Sequence, residues 1–402
     1  MPENWRLFLH PKYQKLKNLF YTLTYSLVRI IRPVRPDSVI LATNRTRTLT
    51  DNLRYVYDRI DRERYSVRVF FLSNPAASTR HRLASDMRFV AAMAQTQYTI
   101  VDDFLPLIYP IRLRPGTRLV QVWHALGALK RVGYSREGKN GGPPRTSISH
   151  KNYTDVIVSA ESIRKDFAEA FGVSIDKVHA TGAPRSDLFF DLPEQETVRS
   201  MVYAAYPALR DKRVVLFAPT FRGRGKRTAY YPTSYLDLER LGAALGPSDV
   251  LVLKMHPFVK DQVSIPSSLA DRVLDLSDYP EFNHLLLVCD LLVTDYSSAI
   301  FDYALLKRPI IFYVPDLDDY TRNRGFYYDF SEYVYGPVAR SLDELVGLLG
   351  TATIDKSRLS VFYEKFLGAC DGHATQRFLT TIFGDPSSAV SHSQTVGRDD
   401  VQ

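Results

Sequence analysis

Cysteine is scarce in this sequence of 402 residues, which contains only two, Cys289 and Cys370. Two isolated thiols form no CxxC pair and no even-numbered disulfide framework, which excludes a disulfide-stapled scaffold and a cysteine zinc site. Cys289 stands in the apolar run LLLVCDLLV (285–293), where a small core residue is expected. The low cysteine content also fits a reducing compartment.

Long hydrophobic runs are missing as well. No stretch reaches the roughly 20 apolar residues that a membrane-spanning helix needs, and the N-terminus shows neither an uncharged apolar core nor a small-residue cleavage site. These absences predict a chain that stays in the cytosol. The sequence also lacks HExxH, cysteine/histidine ligand spacing and a Walker lysine loop, so we predict no metal site and no cofactor.

Positive charge is concentrated at the N-terminus. The formal net charge is +8, and residues 1–36 contain seven Lys/Arg and one acid, which leaves about +2 for the rest of the chain. A nucleic-acid-binding body usually carries its own basic stripe, so no nucleic-acid partner is predicted. The asymmetry predicts a basic arm on a nearly neutral catalytic body.

The basic arm shows a helical period over residues 5–32. Apolar residues at spacings of three and four share one helix face, namely Leu16, Leu19, Phe20, Leu23, Leu27 and Ile30. A basic amphipathic helix can lie in the headgroup region of an anionic membrane. We therefore interpret residues 1–36 as a membrane-associating segment, with packing of the helix on its own domain as the alternative.

The body of the chain shows two series of strands that alternate with helices. Apolar runs suited to buried strands lie at 39–43, 67–73, 98–103, 118–123 and 155–160, and again at 214–220, 250–256, 273–277, 291–296 and 309–314. Such alternation predicts parallel sheets. We predict an α/β protein with two Rossmann-like domains, 37–210 and 211–384, the second closed by helices over 340–383. Residues 385–402 are polar and aperiodic and are predicted to be disordered.

Two histidines follow strands, one in each half. His124 ends the run 118–123, and His256 ends the run 250–256 just before Pro257. Because ligands of open parallel sheets bind at the carboxyl ends of the strands, we expect both histidines to face a ligand. His124 suits a general base, and His256 suits a phosphate oxygen. The alternative for His124 is a hydrogen-bonded structural histidine.

The segment TDYSSAIFD (294–302) offers an anion site and an acceptor for hydroxyl groups. Ser297 and Ser298 stand at a predicted helix start, where hydroxyl and backbone N–H groups can hold an anion. Asp302 follows one turn later on the same face and can accept ribose or polyol hydroxyls. The alternatives are plain N-capping for the serines and a solvated helix carboxylate for Asp302.

Two arginine segments are further candidates. Arg185 follows a strand and a turn, and its guanidinium suits a bidentate contact with a phosphate. The alternative is a structural ion pair with Asp187. The loop 222–227 contains basic residues separated by glycines, and it suits binding of a polyanionic acceptor or a diphosphate. The alternative is a solvated surface loop with no ligand.

Taken together, these segments resemble the CDP-glycerol glycerophosphotransferase family of teichoic acid synthesis over most of residues 39–380. The matching motifs are, in chain order, WHALGALK (123–130), GAPRSD (182–187), APTFR (218–222), LKMHP (253–257), TDYSSAIFD (294–302), KRPIIFY (307–313), RGFYYDF (324–330) and CDGHATQRF (370–378). Motifs in this number and order are a specific signal.

The resemblance implies a GT-B-like fold in which two Rossmann-like domains face an interdomain cleft that holds the donor, preceded by a membrane-associated segment. It implies that His124 activates the acceptor hydroxyl and that His256 stabilises the donor diphosphate. The positions that it assigns to CDP-glycerol binding are Trp123, Ala125, Leu126, Gly127, Arg185, Pro219, Thr220, Lys254, Met255, Ser297, Ser298 and Asp302. Lys130 and Arg222 are candidates for acceptor or phosphate contacts.

The implied activity is transfer of glycerol phosphate from CDP-glycerol to a hydroxyl of a lipid-linked teichoic-acid-type acceptor, with release of CMP. The enzyme is expected to be peripheral, on the cytoplasmic face of the cell membrane, with CDP-glycerol, the polymer acceptor and the anionic membrane surface as partners. Ala125-Leu126-Gly127 replaces the GTP of the family motif, which leaves CDP-ribitol open as the donor. Two competing hypotheses are a glycosyltransferase that uses a nucleotide sugar and a catalytically silent membrane-bound binding protein.

Overall fold

The computed structural model describes residues 3–72, 78–139, 142–223, 228–261 and 263–384. The predicted disordered tail at 385–402 lies outside the described residues, and so do Arg224, Lys226 and Arg227 of the basic loop. The described residues contain two six-stranded sheets whose strand pairs are all parallel. This confirms the predicted α/β class.

The strands follow the two predicted series closely. The first sheet is formed by β1 (Arg35–Thr43), β2 (Ser66–Phe71), β3 (Thr96–Val101), β4 (Arg118–Gln121), β5 (Asp155–Ile157) and β6 (Val178–His179). The second is formed by β7 (Arg213–Phe217), β8 (Asp249–Leu253), β9 (Val273–Asp275), β10 (Leu291–Thr294), β11 (Ile310–Tyr313) and β12 (Val338–Ala339). The sequence predicts five strands per sheet, and it misses β6 and β12 because two residues are too few to show a period.

Helices connect most of these strands. They are α1 (Glu3–Ile31), α2 (Asp51–Arg59), α3 (Thr79–Met93), α4 (Arg164–Phe171), α5 (Leu192–Ala205), α6 (Leu238–Ala244), α7 (Phe282–Val288), α8 (Ala299–Ala304), α9 (Leu317–Arg324), α10 (Leu342–Leu348), α11 (Lys356–Leu367) and α12 (Ala374–Phe383). Several begin at side-chain caps, as where Asp191 accepts the amide of Glu194 at 3.0 Å. Such caps satisfy amides that have no partner within the helix.

The chain forms two compact units whose segments interleave. Unit 1 contains the described residues up to His124, Thr146–Asp187 and those from Ala369, and unit 2 contains Ala125–Arg145 and Leu188–Gly368. The sequence predicts two continuous domains instead, because hydrophobic periods do not show which sheet a helix joins. Helix α12 joins unit 1, since the Asp187 carboxylate accepts the amides of Ala374 and Thr375, both at 2.9 Å.

Each unit has its own hydrophobic core on its sheet. In unit 1 the core includes Val39, Leu41 and Phe378, and in unit 2 it includes Val215 and Leu291. Cys289 is fully buried, and burial raises the pKa of its thiol to about 12, so the predicted role as a small core residue is confirmed.

Helix α1 packs on unit 1 through a tyrosine face. Tyr21 donates a hydrogen bond to Asp86 of α3 at 2.6 Å, and Tyr25 accepts one from the amide of Arg114 at 3.1 Å. The apolar face from Leu16 to Ile30 lies on the opposite side and is exposed, from 43% for Phe20 to 83% for Ile30. In the described part of the chain, no helix combines the length and the apolar character needed to cross a bilayer.

The strand orders define where each sheet can bind a ligand. They are β2-β1-β3-β4-β5-β6 in unit 1 and β12-β11-β10-β7-β8-β9 in unit 2. The chain therefore changes direction between β1 and β3 in the first sheet and between β7 and β10 in the second. Ligands of open α/β sheets bind outside the carboxyl ends of the strands at such switch points.

Candidate active site

His124 lies just beyond β4 in unit 1, at the carboxyl edge of the sheet. Its side chain is 33% exposed, and its Nδ1 lies 3.6 Å from Oδ1 of Asp103, which follows β3. The preceding residue, Trp123, has a φ of +52°, a conformation that a bulky residue adopts only under strain. A strained backbone conformation persists only where the surrounding structure enforces it. Such enforced strain is concentrated at functional sites.

Asn52 and Arg185 enforce this turn through main-chain contacts. The Asn52 amide donates to the carbonyl of Trp123 at 2.8 Å, and its side-chain oxygen accepts the amide of Arg185 at 3.0 Å. The Arg185 guanidinium donates to the carbonyl of His124. Both residues are buried. Arg185, predicted from the sequence to contact a phosphate, thus also supports the backbone of the histidine.

Burial favours the neutral imidazole of His124, and the charges around it act in both directions. Burial lowers the pKa of His124 to about 4; the Asp103 carboxylate opposes this, and the guanidinium of Arg45 reinforces it. Arg45 lies 2.9 Å from Asp51 and 4.0 Å from Asp103. A carboxylate next to Nδ1 favours the hydrogen on that nitrogen, which leaves the lone pair on Nε2.

Four polar residues of this edge are not predicted from the sequence, namely Arg45, Asn52, Asp102 and Asp103. Asp102 and Asp103 end a run that the sequence indicates only as a strand, although polar residues at a strand end are the signal that points to His124. Burial raises the pKa of Asp102 to about 7. Asn52 carries no usable signal in the sequence, because its contacts join α2 to residues 70 positions away.

Trp123 is buried in an aromatic cluster of unit 1. Its ring lies 4.5 Å from that of His124 and 5.3 Å from that of Phe171, between centroids. His150 packs against the same rings, and burial lowers its pKa to about 4. The cluster supports the strained turn from behind, so this geometry gives Trp123 a positioning role.

In unit 2, Thr220 and Lys130 meet at the switch point between β7 and β10. The Lys130 ammonium donates to the hydroxyl of Thr220 at 3.0 Å, and the Thr220 amide donates to Asp295 at 2.7 Å. Lys130 also pairs with Phe326 in a short antiparallel bridge, which brings the RGFYYDF motif beside it. Pro219, the residue before Thr220, is buried in the same turn.

His256 lies beyond β8 in the same unit, and its contacts indicate which ring nitrogen carries the hydrogen. Its Nδ1 accepts the amide of Phe258 at 3.1 Å, and its ring lies 4.6 Å from that of Phe221. Burial lowers the pKa of His256 to about 4, and the charges of Lys130 and Lys254 lower it further. A neutral imidazole whose Nδ1 accepts must carry its hydrogen on Nε2, so His256 presents a neutral N–H donor.

Arg222 is enclosed by acidic partners. Its guanidinium bonds Asp316 at 2.6 and 2.8 Å, Asp295 at 2.9 Å and the carbonyl of Thr220 at 2.9 Å, and the residue is 7% exposed. Burial alone would lower its pKa, but the two carboxylates raise it above the usual arginine value. These contacts give Arg222 a structural role and leave little of the guanidinium for a phosphate.

Lys254 and Met255 are likewise occupied by their surroundings. The Lys254 ammonium donates to the carbonyls of Ser277 and Tyr279, at 2.6 Å each, and burial lowers its pKa to about 8. Met255 is buried, and its amide donates to the Ser277 hydroxyl at 3.0 Å. Both residues hold the loop that carries His256.

The serine segment shows capping at its first serine. The Ser297 hydroxyl accepts the amide of Ala299 at 3.2 Å, which is a local capping contact at the start of α8, whereas Ser298 is half-buried and makes no side-chain cap. Asp302 is buried, which excludes the solvated carboxylate.

Gly127 explains part of the departure from the family motif. It has a φ of +60°, and a Cβ at this position would come within 2.3 Å of the Phe301 ring. Leu126 is buried beside it in unit 2, and Ala125 is half-buried. A residue with a side chain is therefore excluded at position 127 by contact as well as by backbone conformation.

The comparisons with known proteins agree over nearly the whole chain. Residues 24–384 match the family described as CDP-glycerol:poly(glycerophosphate) glycerophosphotransferase. The chain is 40% identical to the teichoic acid poly(ribitol-phosphate) polymerase of Bacillus spizizenii, over 92% of this chain and 60% of that protein. It is 28% identical to the teichoic acid poly(glycerol phosphate) polymerase of Bacillus subtilis, over 92% of this chain and 52% of that protein.

A solved structure shows the same fold. The chain superposes on a variant of the wall teichoic acid polymerase TagF soaked with CDPG, with a TM-score of 0.75 and 23% identity, over 96% of this chain and 98% of that chain. The two polymerases above are longer, so the chain spans little more than half of their length.

Proposed function

The chain belongs to the CDP-glycerol:poly(glycerophosphate) glycerophosphotransferase family, and from this premise we propose that it transfers a polyol phosphate from a CDP-alcohol to a hydroxyl of a lipid-linked teichoic-acid-type acceptor, releasing CMP. CDP-glycerol is the donor expected from the sequence. The observation that carries the proposal is the neutral imidazole of His124, held on an enforced turn with Asp103 beside its Nδ1.

His124 acts as the general base. Its Nε2 takes the proton of the acceptor hydroxyl while that oxygen attacks the β-phosphorus of the donor, and Asp103 stabilises the imidazolium that forms. The new bond joins the acceptor oxygen to phosphorus, and the bond that breaks joins phosphorus to the oxygen that leaves with CMP. A hydrogen bond to Asp103 that shortens in the complex is expected, because catalytic contacts are often long without substrate.

The unit 2 residues stabilise the donor. The Nε2–H of His256 and the Lys130 ammonium, fixed by Thr220, are suited to the diphosphate oxygens, on which negative charge increases during transfer. The GT-B-like arrangement that the resemblance implies is part of what we propose. It is supported by the histidine that each unit carries beyond a strand at its carboxyl edge.

CMP release tests the proposal directly. CDP-glycerol, CDP-ribitol and UDP-sugars are compared as donors with a lipid-linked glycerol-phosphate acceptor, using wild type, His124→Ala and His256→Ala. Each substitution is expected to lower turnover by about 100-fold or more. His81→Ala, at an exposed histidine of α3, is the matched control and should retain wild-type turnover. Near-normal turnover of either active-site variant contradicts the mechanism, and use of a UDP-sugar alone contradicts the donor class.

A ribitol donor is the second candidate, and a specific observation favours it. Over 92% of this chain in each comparison, identity is 40% to the poly(ribitol-phosphate) polymerase and 28% to the poly(glycerol phosphate) polymerase. The replacement of the family's GTP by Ala125-Leu126-Gly127 beside His124 is the departure that leaves CDP-ribitol open as the donor. The ratio of kcat/KM for the two CDP-alcohols decides between them.

We further propose that α1 binds the cytoplasmic face of an anionic membrane and makes the enzyme peripheral. Its apolar face is exposed while its tyrosine face packs on unit 1, and the segment 1–36 is strongly basic. Such a helix buries its apolar face at the headgroup boundary and is attracted to anionic lipid.

Vesicle co-sedimentation of the full chain tests this surface. Leu23→Glu combined with Leu27→Glu should lower binding to phosphatidylserine-containing vesicles by about tenfold or more, because two side chains lose their apolar burial. Leu192→Glu combined with Val361→Glu, at exposed apolar residues of unit 2, is the matched control. Equal binding of both double variants contradicts the membrane role of α1.

A further inference from the structure

Unit 2 contains a cavity that the proposed chemistry does not use. It has a volume of about 890 Å³ and is lined by α9, by residues 325–331 and by the segment 131–139, with Arg340 and Arg358 at its border. The size falls within the range of about 300–1,000 Å³ that is usual for ligand sites. None of the residues assigned to donor binding lines it.

The lining is rich in cations. They are Arg131, Lys139, Arg322, Arg340 and Arg358. Arg322 is paired with Asp319, and Arg358 lies 3.8 Å from Asp355. For Arg131, Lys139 and Arg340, the described residues provide no carboxylate within 4 Å of the side-chain nitrogens. These three positive charges have no carboxylate partner there, although one N–H of Arg131 already donates to the carbonyl of Phe326.

Of the acidic residues in the lining, two already have partners within the protein, and the third can accept hydrogen bonds from the hydroxyls of a ligand. Glu137 lies 3.3 Å from Arg145, and Asp329 accepts the amide and the hydroxyl of Ser331 at 2.9 and 2.6 Å. Asp318, in the first turn of α9, offers a carboxylate to hydroxyl donors. A lining that combines cations with the carboxylate of Asp318 suits a ligand that carries both phosphates and hydroxyls.

A short antiparallel pairing of residues 130–131 with residues 325–326 connects this cavity to the residues proposed to bind the donor. Lys130 pairs with Phe326 in an antiparallel bridge, the amide of Arg131 donates to the carbonyl of Gly325 at 3.3 Å, and the Arg131 guanidinium donates to the carbonyl of Phe326 at 3.1 Å. Consecutive side chains of an extended segment point to opposite faces. Lys130 accordingly reaches Thr220, whereas Arg131 lines the cavity.

We propose that this cavity binds internal units of a polyol-phosphate chain, behind the end that reacts. The identity of the ligand rests on the proposed function, whereas the anionic polyol chemistry rests on the lining. Phosphates contact Arg131, Lys139 and Arg340, and hydroxyls contact the carboxylate of Asp318. Long acceptors then bind more tightly than acceptors of one unit, with no change at the reacting centre.

The direct test is binding of a fluorescently labelled oligo(glycerol phosphate) to the full chain in the absence of any donor. Lys139→Glu combined with Arg340→Glu should weaken binding by about tenfold, the effect of removing and reversing two exposed charge contacts. Arg210→Glu combined with Lys212→Glu makes the same change in net charge before β7, at the opposite edge of the sheet, and should leave the affinity unchanged. Equal weakening by the two double variants, or none by the first, overturns the proposal.

Two further readouts separate this inference from the proposed activity. With an acceptor of one unit, CMP release by the Lys139/Arg340 variant should equal that of wild type, and with a long acceptor KM should rise while kcat holds. A loss of CMP release with both acceptors overturns the assignment of a remote site. Inorganic polyphosphate that competes as well as the oligo(glycerol phosphate) overturns the polyol assignment. Because binding is measured without donor, inactivity with every CDP-alcohol contradicts the proposed function alone.

Discussion

Replacing Arg222 by methionine tests whether this arginine is structural. The substitution keeps the length of the side chain and removes the guanidinium that bonds Asp295 and Asp316. Asp295 then remains buried and Asp316 partly buried without their cation, a situation that costs about 3–5 kcal/mol for buried pairs in other proteins. We expect the free energy of unfolding to fall by about that amount, because Arg222 is 7% exposed and its ion pairs are 2.6 and 2.9 Å long.

The loss in the free energy of unfolding caused by Arg222→Met should depend on pH. Burial already raises the pKa of Asp295 and the Arg222 charge opposes that rise, so without Arg222 the pKa of this carboxyl in the folded state should rise further above its unfolded value. The added penalty is then largest at pH values above the folded pKa and shrinks as pH falls and Asp295 becomes protonated. The unfolding deficit of Arg222→Met should therefore be smaller at pH 5 than at pH 8.

Urea unfolding followed by far-UV circular dichroism measures both effects. Arg240→Ala, which breaks an exposed pair with Asp343, is the control and should leave the free energy of unfolding close to that of wild type, because exposed ion pairs contribute little to stability. A phosphate-binding Arg222 would give the opposite pattern, with stability retained and the KM for the donor raised. That result, or a deficit independent of pH, would refute the structural assignment.

Three further substitutions test the supports of the site. Asn52→Ala removes the hydrogen bond to the Trp123 carbonyl and should lower kcat by about 10–100-fold with little change in KM, measured as CMP release. Asp103→Asn removes the group that raises the pKa of His124, so the acidic limb of kcat/KM should move to lower pH. Gly127→Ala drives a Cβ into Phe301 and should destabilise the protein by about 1–3 kcal/mol more than Gly138→Ala, where φ is also positive but the space around the residue is open.

Much of the fold was predictable because buried parallel strands leave continuous apolar runs. The strands β1, β4, β7 and β10 all begin or end within a few residues of the predicted runs. The membership of α12 in unit 1 was not predictable, because it depends on Asp187 capping a helix almost 190 residues later. Local periodicity carries no information about such pairing.

The candidate site was predictable only where a motif residue ends a strand. His124 and His256 meet that condition, and the structure places both at carboxyl edges. Arg222 and Lys254 looked equally suited to phosphate in the sequence, yet one is enclosed by carboxylates and the other by carbonyls. Charge in a sequence does not reveal whether its partner is already within the protein.

The two histidines also show how the contact at Nδ1 can decide whether the Nε2 of an imidazole donates or accepts a hydrogen bond. Burial lowers the pKa of both to about 4, so both are neutral near pH 7 and differ only in the position of one hydrogen. At His256 an amide occupies Nδ1 and forces the hydrogen onto Nε2, which makes a donor. At His124 a carboxylate faces Nδ1 and favours the hydrogen there, which leaves Nε2 as a base. The proposed mechanism uses one imidazole as a base and the other as a donor, and the side chain of Asp103 and the backbone amide of Phe258 favour these two states.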